Sequence, residues 1–289
     1  MTPDSLPGPA LLFCPADRPD RYAKALAAAD GVILDLEDGV GPDAKDTARA
    51  ALAATDLDPA RVIVRVNATG TPEHAADMAA LRGTGYRLIM LPKSESRAQL
   101  DELGADWRVT ALCETPLGIV NAAEIADAPN VIAVMWGAED LIAAMGGRTS
   151  RLPGGQYRDV ALHARSAVLL AAAARGRPAI DAVYVNIPDL DGLAAEAQDA
   201  AASGFALKAC VHPTQVPVVR RAFQADEAQV AWARRVLDAA ATGSTTGDSA
   251  TGGSATAGGA TAGGAVKVDG QMIDAPLIRQ AEAILASIR

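Results

Sequence analysis

The stretch VILDLEDG, residues 32–39, decides the fold of this chain. It is a short, unbroken apolar run that ends in acidic residues, and VMWGAEDL at 134–141 and RVTALCET at 108–115 repeat that arrangement. Unbroken runs of Val, Ile and Leu are typical of strands that are buried on both faces of a parallel sheet. Because α/β barrels place their catalytic groups at the carboxyl ends of such strands, we expect an acidic site at that edge of the sheet.

Similar apolar runs recur along the chain and alternate with helical segments. The pattern predicts strands at 11–16, 32–38, 61–67, 87–93, 108–115, 131–137, 181–186 and 205–212, and helices at 19–29, 43–54, 73–82, 96–104, 117–127, 158–175, 190–203 and 213–223. Eight β–α units in about 210 residues predict an α/β fold of the (β/α)8 TIM barrel type. The alternative is an open, doubly wound sheet, which is not supported by a GxGxxG motif after the first strand.

Composition divides the chain into three predicted parts. Residues 1–240 are expected to form the barrel domain. The tract 241–264 consists almost entirely of Gly, Ala, Ser and Thr, and it predicts a flexible linker because it cannot bury enough apolar surface to become ordered. Residues 265–289 then contain a turn at VDGQ and an amphipathic helix that begins near Pro276. This last part is interpreted either as a lid or arm, or as a peripheral helix.

Charge and hydropathy limit the partners of the chain. A net charge of −9 argues against a surface for nucleic acid or for an anionic membrane. No apolar run approaches the roughly 20 residues of a membrane span, and the segment MTPDSLPGPA does not resemble a signal peptide. Cys14, Cys113 and Cys210 form no CxxC pattern and are expected to be reduced and buried, which favours a cytoplasmic location.

Acidic residues in the second strand and a basic residue in the third are expected to meet. Alternation sends Asp35 and Glu37 to one side of their strand, which in a barrel is the lumen. Acids in the lumen need partners, and Arg65 in the run VIVRVN lies at the equivalent depth. Arg65 is interpreted either as the structural ion-pair partner of these acids or as a group that binds a substrate carboxylate through two parallel hydrogen bonds.

Glu114 and Asp140 follow neighbouring strands and are candidate metal ligands. Carboxylates that converge on one barrel mouth repel each other unless a cation or protons relieve them. Two carboxylates completed by waters and substrate oxygens are the usual arrangement around Mg²⁺. Lys93, in LPKSE at the end of the fourth strand, is interpreted either as a Schiff-base lysine of a metal-free aldolase or as an ion-pair partner of these acids.

A basic run follows the first strand. Arg18, Arg21 and Lys24 are spaced to share one face of a helix. At a helix N-terminus on the barrel mouth they would bind phosphate, and the alternative is a solvated basic face. His212, at the end of the eighth strand, is a candidate for a supporting role.

Eight motifs occur along the chain: PADRPDRYAKA, VILDLEDGV, KDTAR, VRVN, LPKSES, ALCETPLGIVNAAEIA, WGAEDLIAAMGG and VHPTQVPVVRRAF. Together, and in this order, they resemble the citrate lyase β-subunit-like family, which belongs with the malyl-CoA and β-methylmalyl-CoA lyases to the HpcH/HpaI aldolase superfamily. The resemblance runs from residue 10 to residue 240 and resumes at VDGQMIDAP. The tract 241–264 departs from it and resembles an expanded linker.

The resemblance implies a magnesium-dependent barrel of the phosphoenolpyruvate/pyruvate type that assembles as a homotrimer or hexamer. It implies Glu114 and Asp140 as ligands of the metal that carries the substrate, and Arg65 as the residue that binds the oxoacid carboxylate. Asp274 matches a lid residue that family members deliver to the active site of a neighbouring subunit. Contacts to the CoA part of the substrate carry over to Phe13, Cys14, Arg18 and Lys24.

The implied activity is cleavage of a 3-hydroxyacyl-CoA of the citryl-CoA, malyl-CoA or 3-hydroxy-3-methylglutaryl-CoA type to acetyl-CoA or propionyl-CoA and an oxoacid. Asp274 would protonate the enolate, while Asp35 and Glu37 would orient Arg65 and metal-bound water or act directly. Three alternatives stay open: a metal-dependent aldolase of free 4-hydroxy-2-oxoacids, a malyl-CoA thioesterase, and a non-catalytic subunit of a citrate lyase complex. The basic run favours a CoA enzyme over the aldolase.

Overall fold

The computed structural model describes residues 6–243 and 266–288. The chain divides into two compact units, one that ends at Ala222 and one that begins at Phe223. Among the described residues, no helix is both long enough and apolar enough to cross a membrane.

In the described part of the first unit, eight parallel strands close into a barrel, which confirms the predicted (β/α)8 fold. Each strand pairs with the next one along the chain, and the eighth pairs with the first through the register Ala10↔Lys208. The strands are β1 Ala10–Pro15, β2 Gly31–Asp35, β3 Val62–Arg65, β4 Leu88–Leu91, β5 Arg108–Cys113, β6 Val131–Trp136, β7 Ala179–Asp181 and β8 Leu207–Cys210.

Helices connect the strands: α1 Pro19–Ala28, α2 Lys45–Ala53, α3 Pro72–Arg82, α4 Arg97–Leu103, α5 Pro116–Val120, α6 Ala122–Ala126, α7 Ala138–Ala144, α8 Asp159–Ala174, α9 Leu190–Ser203 and α10 Val216–Ala222. The predicted single helix 117–127 is wrong, because the chain breaks at Asn121, whose side-chain amide donates to the Glu95 carbonyl at 2.8 Å. The sequence did not predict α7, which begins directly after Gly137 at the end of β6.

The predicted range 181–186 for the seventh strand is wrong beyond its first residue, because the observed strand is Ala179–Asp181. Lys208 Nζ donates to the carbonyl of Ala182, and Gln215 Nε2 donates to the carbonyl of Tyr184, each at 2.8 Å. These side chains satisfy carbonyls that a neighbouring strand would otherwise satisfy. The apolar run after Asp181 is therefore a loop, and Val183 in this loop lines the cavity described below.

The lumen of the barrel is filled by apolar side chains that include one from each strand: Leu11, Ile33, Ile63, Met90, Leu112, Met135, Ile180 and Leu207. Because side chains alternate along a strand, the residue two positions later also faces the lumen. This alternation carries Phe13, Asp35, Arg65 and Glu114 to the carboxyl side of the apolar layer.

The outer face of the last two strands holds buried charges. Asp181 of β7 and Lys208 of β8 are register partners, and both are 0% exposed. Lys208 Nζ donates to Asp181 Oδ2 at 2.8 Å and to Glu196 Oε1 at 3.0 Å. Arg165 of α8 donates to Asp181 as well, through Nε at 2.9 Å, and Arg151 Nη1 donates to Glu196 Oε2 at 2.7 Å. We call Arg151, Arg165, Asp181, Glu196, Asp199 and Lys208 the ion network, because it connects β7 and β8 to α8 and α9.

The second unit has a core of its own. It contains α11 Glu227–Gly243, a hairpin of β9 Val266–Val268 and β10 Gln271–Ile273, and α12 Ala275–Ala286. The predicted turn at VDGQ is confirmed, since Asp269 and Gly270 both have positive φ, at 48° and 84°. The core of this unit consists of the buried residues Ala233, Val236, Val268, Ile273 and Ala281.

The observed boundary at Ala222 precedes the predicted end of the barrel domain at residue 240, and α11 packs on α12 within the second unit. Of the predicted linker 241–264, residues 241–243 form the end of α11 and the remainder lies outside the described residues. The lid role predicted for 265–289 stays a prediction.

Candidate active site

A cavity of about 390 Å³ opens at the carboxyl ends of the barrel strands. Its walls combine apolar side chains of the lumen with charged groups from the ends of β2, β3, β5 and β6. The residues that line it include Phe13, Asp35, Asp38, Arg65, Leu112, Glu114, Met135, Glu139, Asp140 and Val183. The acidic strand ends predicted from the sequence therefore meet at one site.

Arg65 is bound to Asp35 by two parallel hydrogen bonds. The two residues are register partners on β3 and β2, and Nε and Nη2 of Arg65 donate to the Asp35 carboxylate at 2.7 and 2.6 Å. Burial lowers the pKa of Arg65, but the hydrogen bonds that it donates to Asp35 and the charges of Asp35, Glu37 and Glu114 raise it above its ordinary value. Arg65 also lies over the Phe13 ring, with 4.9 Å between Cζ and the ring centroid.

Glu37 is buried between two cations. Its Oε1 accepts a hydrogen bond of 2.5 Å from Lys93 Nζ, and its Oε2 lies 3.1 Å from Arg65 Nη1. Among the described residues, Oε2 meets no donor in hydrogen-bond geometry, so the contact with Arg65 is an ion pair without a formed hydrogen bond. Burial raises the pKa of Glu37, and Arg65 and Lys93 oppose that rise.

Lys93 lies at the centre of the acidic residues. Its φ of 50° is in the left-handed region, which residues other than glycine rarely adopt. Besides Glu37, its Nζ is 3.9 Å from a carboxylate oxygen of each of Asp38 and Asp140. Burial lowers its pKa, but the hydrogen bond and charge of Glu37 raise it overall. A Schiff-base lysine needs a lowered pKa, so this environment supports the ion-pair interpretation of Lys93.

Glu114 is 2% exposed and lies next to further negative charge. Burial raises its pKa to about 8, and Asp140 and Glu37 add to the rise. The backbone N–H of Lys93 donates to its Oε1 at 3.1 Å. Gly137 makes room for this carboxylate, since a Cβ at that position would lie 2.8 Å from both Cβ and Oε2 of Glu114.

The residues present fit a magnesium ion. Within the described residues, no group of three or more His, Cys, Asp or Glu side chains is arranged to hold a metal on its own. Glu114 and Asp140 nevertheless face the same cavity, and Asp140 destabilises the charge of Glu114, which a divalent cation would relieve. Two carboxylates with waters and substrate oxygens are the donor set that Mg²⁺ commonly takes in proteins.

The predicted CoA contacts differ in accessibility. Phe13 lines the cavity, whereas Cys14 is 3% exposed, and its side chain lies on the opposite side of β1, so its thiol is available to no ligand. Burial raises the pKa of Cys14 to about 11. Arg18 precedes α1 and donates to Asp20 through Nε and Nη2, both at 3.1 Å. Lys24, like Arg21, is exposed. A phosphate contact by Arg18 would therefore compete with Asp20.

Two further predicted residues, His212 and Asp274, lie at N-cap positions. His212 caps the short turn Pro213–Gln215, where its ring contacts the hydroxyl of Thr214 at 2.8 Å, which is a structural role. Asp274 is the N-cap of α12 in the second unit, and among the described residues its carboxylate accepts no capping hydrogen bond. Its role as a lid residue stays a prediction.

Lys45 is a residue of the site region that the sequence did not single out. Its Nζ donates to the carbonyls of Leu36 and Glu37 at 2.8 and 3.0 Å, and to Asn67 Oδ1 at 2.8 Å. These three bonds use every donor of the ammonium group and fix the loop that carries Glu37. The signal available in the sequence was the motif KDTAR, which opens the helix after that loop.

Comparisons with known proteins identify relatives of this chain. Residues 10–213 match the family described as HpcH/HpaI aldolase/citrate lyase. A citrate lyase subunit beta-like protein of Mycobacterium tuberculosis is 53% identical over 278 residues, which cover 96% of this chain and 94% of that protein. A (3S)-malyl-CoA thioesterase of Cereibacter sphaeroides is 33% identical, with 83% of this chain and 85% of the relative covered.

The crystal structure of CitE from Mycobacterium tuberculosis in complex with magnesium, acetoacetate and coenzyme A superposes with a TM-score of 0.88 at 52% identity, covering 97% of this chain and 98% of that one. The resemblance indicated by the sequence motifs is confirmed. The chain belongs to the HpcH/HpaI aldolase/citrate lyase family of enzymes.

Proposed function

We propose that the chain is a Mg²⁺-dependent carbon–carbon lyase that cleaves a 3-hydroxyacyl-CoA to acetyl-CoA or propionyl-CoA and an oxoacid. The observation that carries the proposal is Glu114, a buried carboxylate whose pKa is raised to about 8 at the mouth of the barrel, next to Asp140 and opposite Arg65. The complex of the similar CitE protein with magnesium, acetoacetate and coenzyme A supports it, because those ligands are the metal, an oxoacid and the CoA carrier.

Glu114 and Asp140 would hold the metal, which supplies Lewis-acid polarisation of the oxygen that becomes the carbonyl of the oxoacid. Arg65 adds fixed positive charge next to the same oxygen. Since Nε and Nη2 of Arg65 are bound to Asp35, we infer that the substrate carboxylate is contacted from the Nη1 side, where Glu37 lies 3.1 Å away. The two-point contact through Nε and Nη2 would require Asp35 to move.

The departing carbon needs a proton, because cleavage leaves an enolate of the acyl-CoA. We assign this step to Asp274 on the resemblance to the family's lid residue, and we propose that the lid acts in a homotrimer or hexamer across subunits. Mixing Asp274→Asn protomers with Arg65→Ala protomers tests this assignment. Activity recovered after subunit exchange supports it, and a lack of recovery places the lid residue in its own subunit.

The proposed function is tested by assaying the purified chain against citryl-CoA, malyl-CoA and 3-hydroxy-3-methylglutaryl-CoA, first with Mg²⁺ and then with EDTA. Oxoacid formation and free-thiol release are followed separately. We expect an oxoacid and an intact acyl-CoA thioester from at least one substrate with Mg²⁺ and neither with EDTA. Full activity in excess EDTA would contradict the metal-dependent reaction.

A second candidate function is the hydrolysis of malyl-CoA, which the 33% identity to a (3S)-malyl-CoA thioesterase favours. It predicts free thiol and malate in equal amounts in the same assay, without an oxoacid. Two further alternatives have distinct results. Cleavage of a free 4-hydroxy-2-oxoacid would indicate an aldolase, and activity that appears when an acyl-carrier protein is added would indicate a subunit of a citrate lyase complex.

A further inference from the structure

Lys93 makes contacts that the roles proposed above do not explain. Its ammonium group is 2.5 Å from Glu37 Oε1 and 3.9 Å from carboxylate oxygens of both Asp38 and Asp140, and its backbone N–H donates to Glu114. We call Glu37, Asp38, Glu114, Asp140 and Lys93 the mouth cluster. Lys93 thus contacts both proposed metal ligands, Glu114 and Asp140, and also Glu37, which lies next to Arg65.

The backbone of Lys93 is adapted to this position. Its φ of 50° is the left-handed conformation, which costs free energy for a side chain of this size and persists where surrounding contacts hold it. That conformation lets the N–H group meet Glu114 while the side chain extends to Glu37. Lys93, with its strained backbone, is therefore held by contacts with both Glu114 and Glu37.

The charges around Lys93 are unequal. Asp35 is paired with Arg65, and Glu139 accepts a hydrogen bond from Ser150 at 2.7 Å. Among the described residues, the mouth cluster contains four carboxyl groups and one ammonium group. Even with Arg65 Nη1 at 3.1 Å from Glu37, carboxyl groups outnumber cations here, and a divalent cation that enters between Glu114 and Asp140 must approach the ammonium group.

We propose that Lys93 is a built-in competitor for the divalent cation: its ammonium group offsets part of the negative charge of the mouth cluster before a metal binds, and Mg²⁺ binds at Glu114 and Asp140 against its charge. This inference rests on the proposed function, because it assumes the same metal ligands. Its consequence is a site in which Mg²⁺ is exchangeable while a cation stays 3.9 Å from Asp38 and Asp140, two acids that line the cavity. The charge of Lys93 thus weakens the binding of the metal and strengthens the binding of the anionic ligand.

Calorimetric titration of the full chain with MgCl₂, after removal of metal with EDTA, tests the proposal without any turnover. Lys93→Met removes the charge and keeps much of the side-chain volume, Lys93→Gln is a second charge-free variant, and Lys93→Arg keeps the charge. Arg97→Met is the matched control. It removes one positive charge from α4, where Arg97 pairs with Asp101 and Asp127 outside the cavity.

We expect Mg²⁺ to bind about tenfold tighter to Lys93→Met, since a charge a few ångströms from the ion is removed. Lys93→Arg and Arg97→Met should stay close to the wild type. In saturating Mg²⁺, acetoacetate should bind several-fold more weakly to Lys93→Met. If Lys93 only supported the fold, its replacement would instead weaken the binding of both Mg²⁺ and acetoacetate.

The outcomes separate the two levels of the proposal. Magnesium that binds the wild type and Lys93→Met equally, or binds Lys93→Met more weakly, overturns the role of Lys93 and leaves the proposed function standing. If neither protein binds Mg²⁺, the metal site of the proposed function is wrong and the inference is wrong with it. If neither charge-free variant folds by circular dichroism while Lys93→Arg does, the ammonium group supports the fold and is not a competitor.

Discussion

The mouth cluster and the ion network are both groups of charges at the wall of the same barrel, and they differ in charge balance. The ion network pairs three acids, Asp181, Glu196 and Asp199, with the cations Arg151, Arg165 and Lys208. The five residues that define the mouth cluster carry four carboxyl groups and one ammonium group.

The pKa values reflect this difference. Burial alone raises the pKa of Asp181, but Lys208 and Arg165 outweigh it and lower the pKa below the ordinary value. Burial, with the charges of Asp140 and Glu37, raises the pKa of Glu114 to about 8, although Lys93 and Arg65 oppose that rise. Balanced charges of this kind support a fold, whereas an excess of one sign in a cavity prepares the protein for a ligand of the opposite sign.

The largest effect is expected in the ion network, for the free energy of unfolding. Lys208→Met leaves Asp181 and Glu196 buried with one cation fewer, and loss of one partner of a buried ion pair costs about 3–5 kcal/mol. Denaturant unfolding monitored by circular dichroism measures this cost. Lys93→Met, in the mouth cluster, should change the unfolding free energy much less, and equal losses in both variants would remove the distinction between the two regions.

The next largest effect concerns catalysis at Glu114. Glu114→Gln keeps the shape of the side chain and removes a proposed metal ligand, so kcat should fall at least about a hundredfold. The same variant should unfold no more easily than the wild type, because it removes a carboxylate whose charge is unfavourable when buried. Steady-state kinetics and a thermal melt check both parts. A variant that is destabilised but keeps a normal kcat would mean that Glu114 supports the fold, as the ion network does, and not catalysis.

Arg65→Lys is expected to reduce kcat/KM by about thirtyfold, which corresponds to about 2 kcal/mol, the order of a charged hydrogen bond. Lysine keeps the charge but cannot donate to both oxygens of Asp35 in a plane and reach the substrate as well. The measurement is kcat/KM for the best substrate of the panel. An unchanged value would assign Arg65 to the structural pairing with Asp35.

The smallest effect is a pH dependence of magnesium affinity. In the metal-free protein, Glu114 with a pKa of about 8 is protonated at neutral pH, and it must release its proton to bind a cation. The affinity should therefore fall by up to about tenfold per pH unit below pH 8 and level off above it. Calorimetry at pH 7 in buffers of different ionisation enthalpy should detect close to one proton released for each Mg²⁺ bound. The release of no proton would mean that Glu114 is already ionised.

The barrel could be predicted because each strand carries its own signal, an apolar run whose alternate residues fill the lumen. The pairing of Arg65 with Asp35 was also foreseeable, since two residues at equal depth on neighbouring strands face the same side. The short β7 was not foreseeable, because side chains of Lys208 and Gln215, distant in sequence, replace a neighbouring strand.

The centre of the site was less accessible to sequence reasoning. LPKSE indicates a lysine close to acids, but neither the left-handed backbone of Lys93 nor its contact with Glu114 follows from residue types. The partners of Lys208 come from α9 and β7, so the ion network has no local pattern. Likewise, the amphipathic face of α11 does not indicate that its partner is α12, a helix that lies beyond the tract 244–265.

The hydrogen bonds between Arg65 and Asp35 have a consequence for entropy. A free arginine side chain has about 2 kcal/mol of rotamer entropy, which a binding site ordinarily loses when its ligand arrives. In this protein the guanidinium group is already held in one plane by Asp35 and by the Phe13 ring below it. That ordering takes place during folding, so a carboxylate that reaches the cavity meets a donor group whose orientation is fixed in advance.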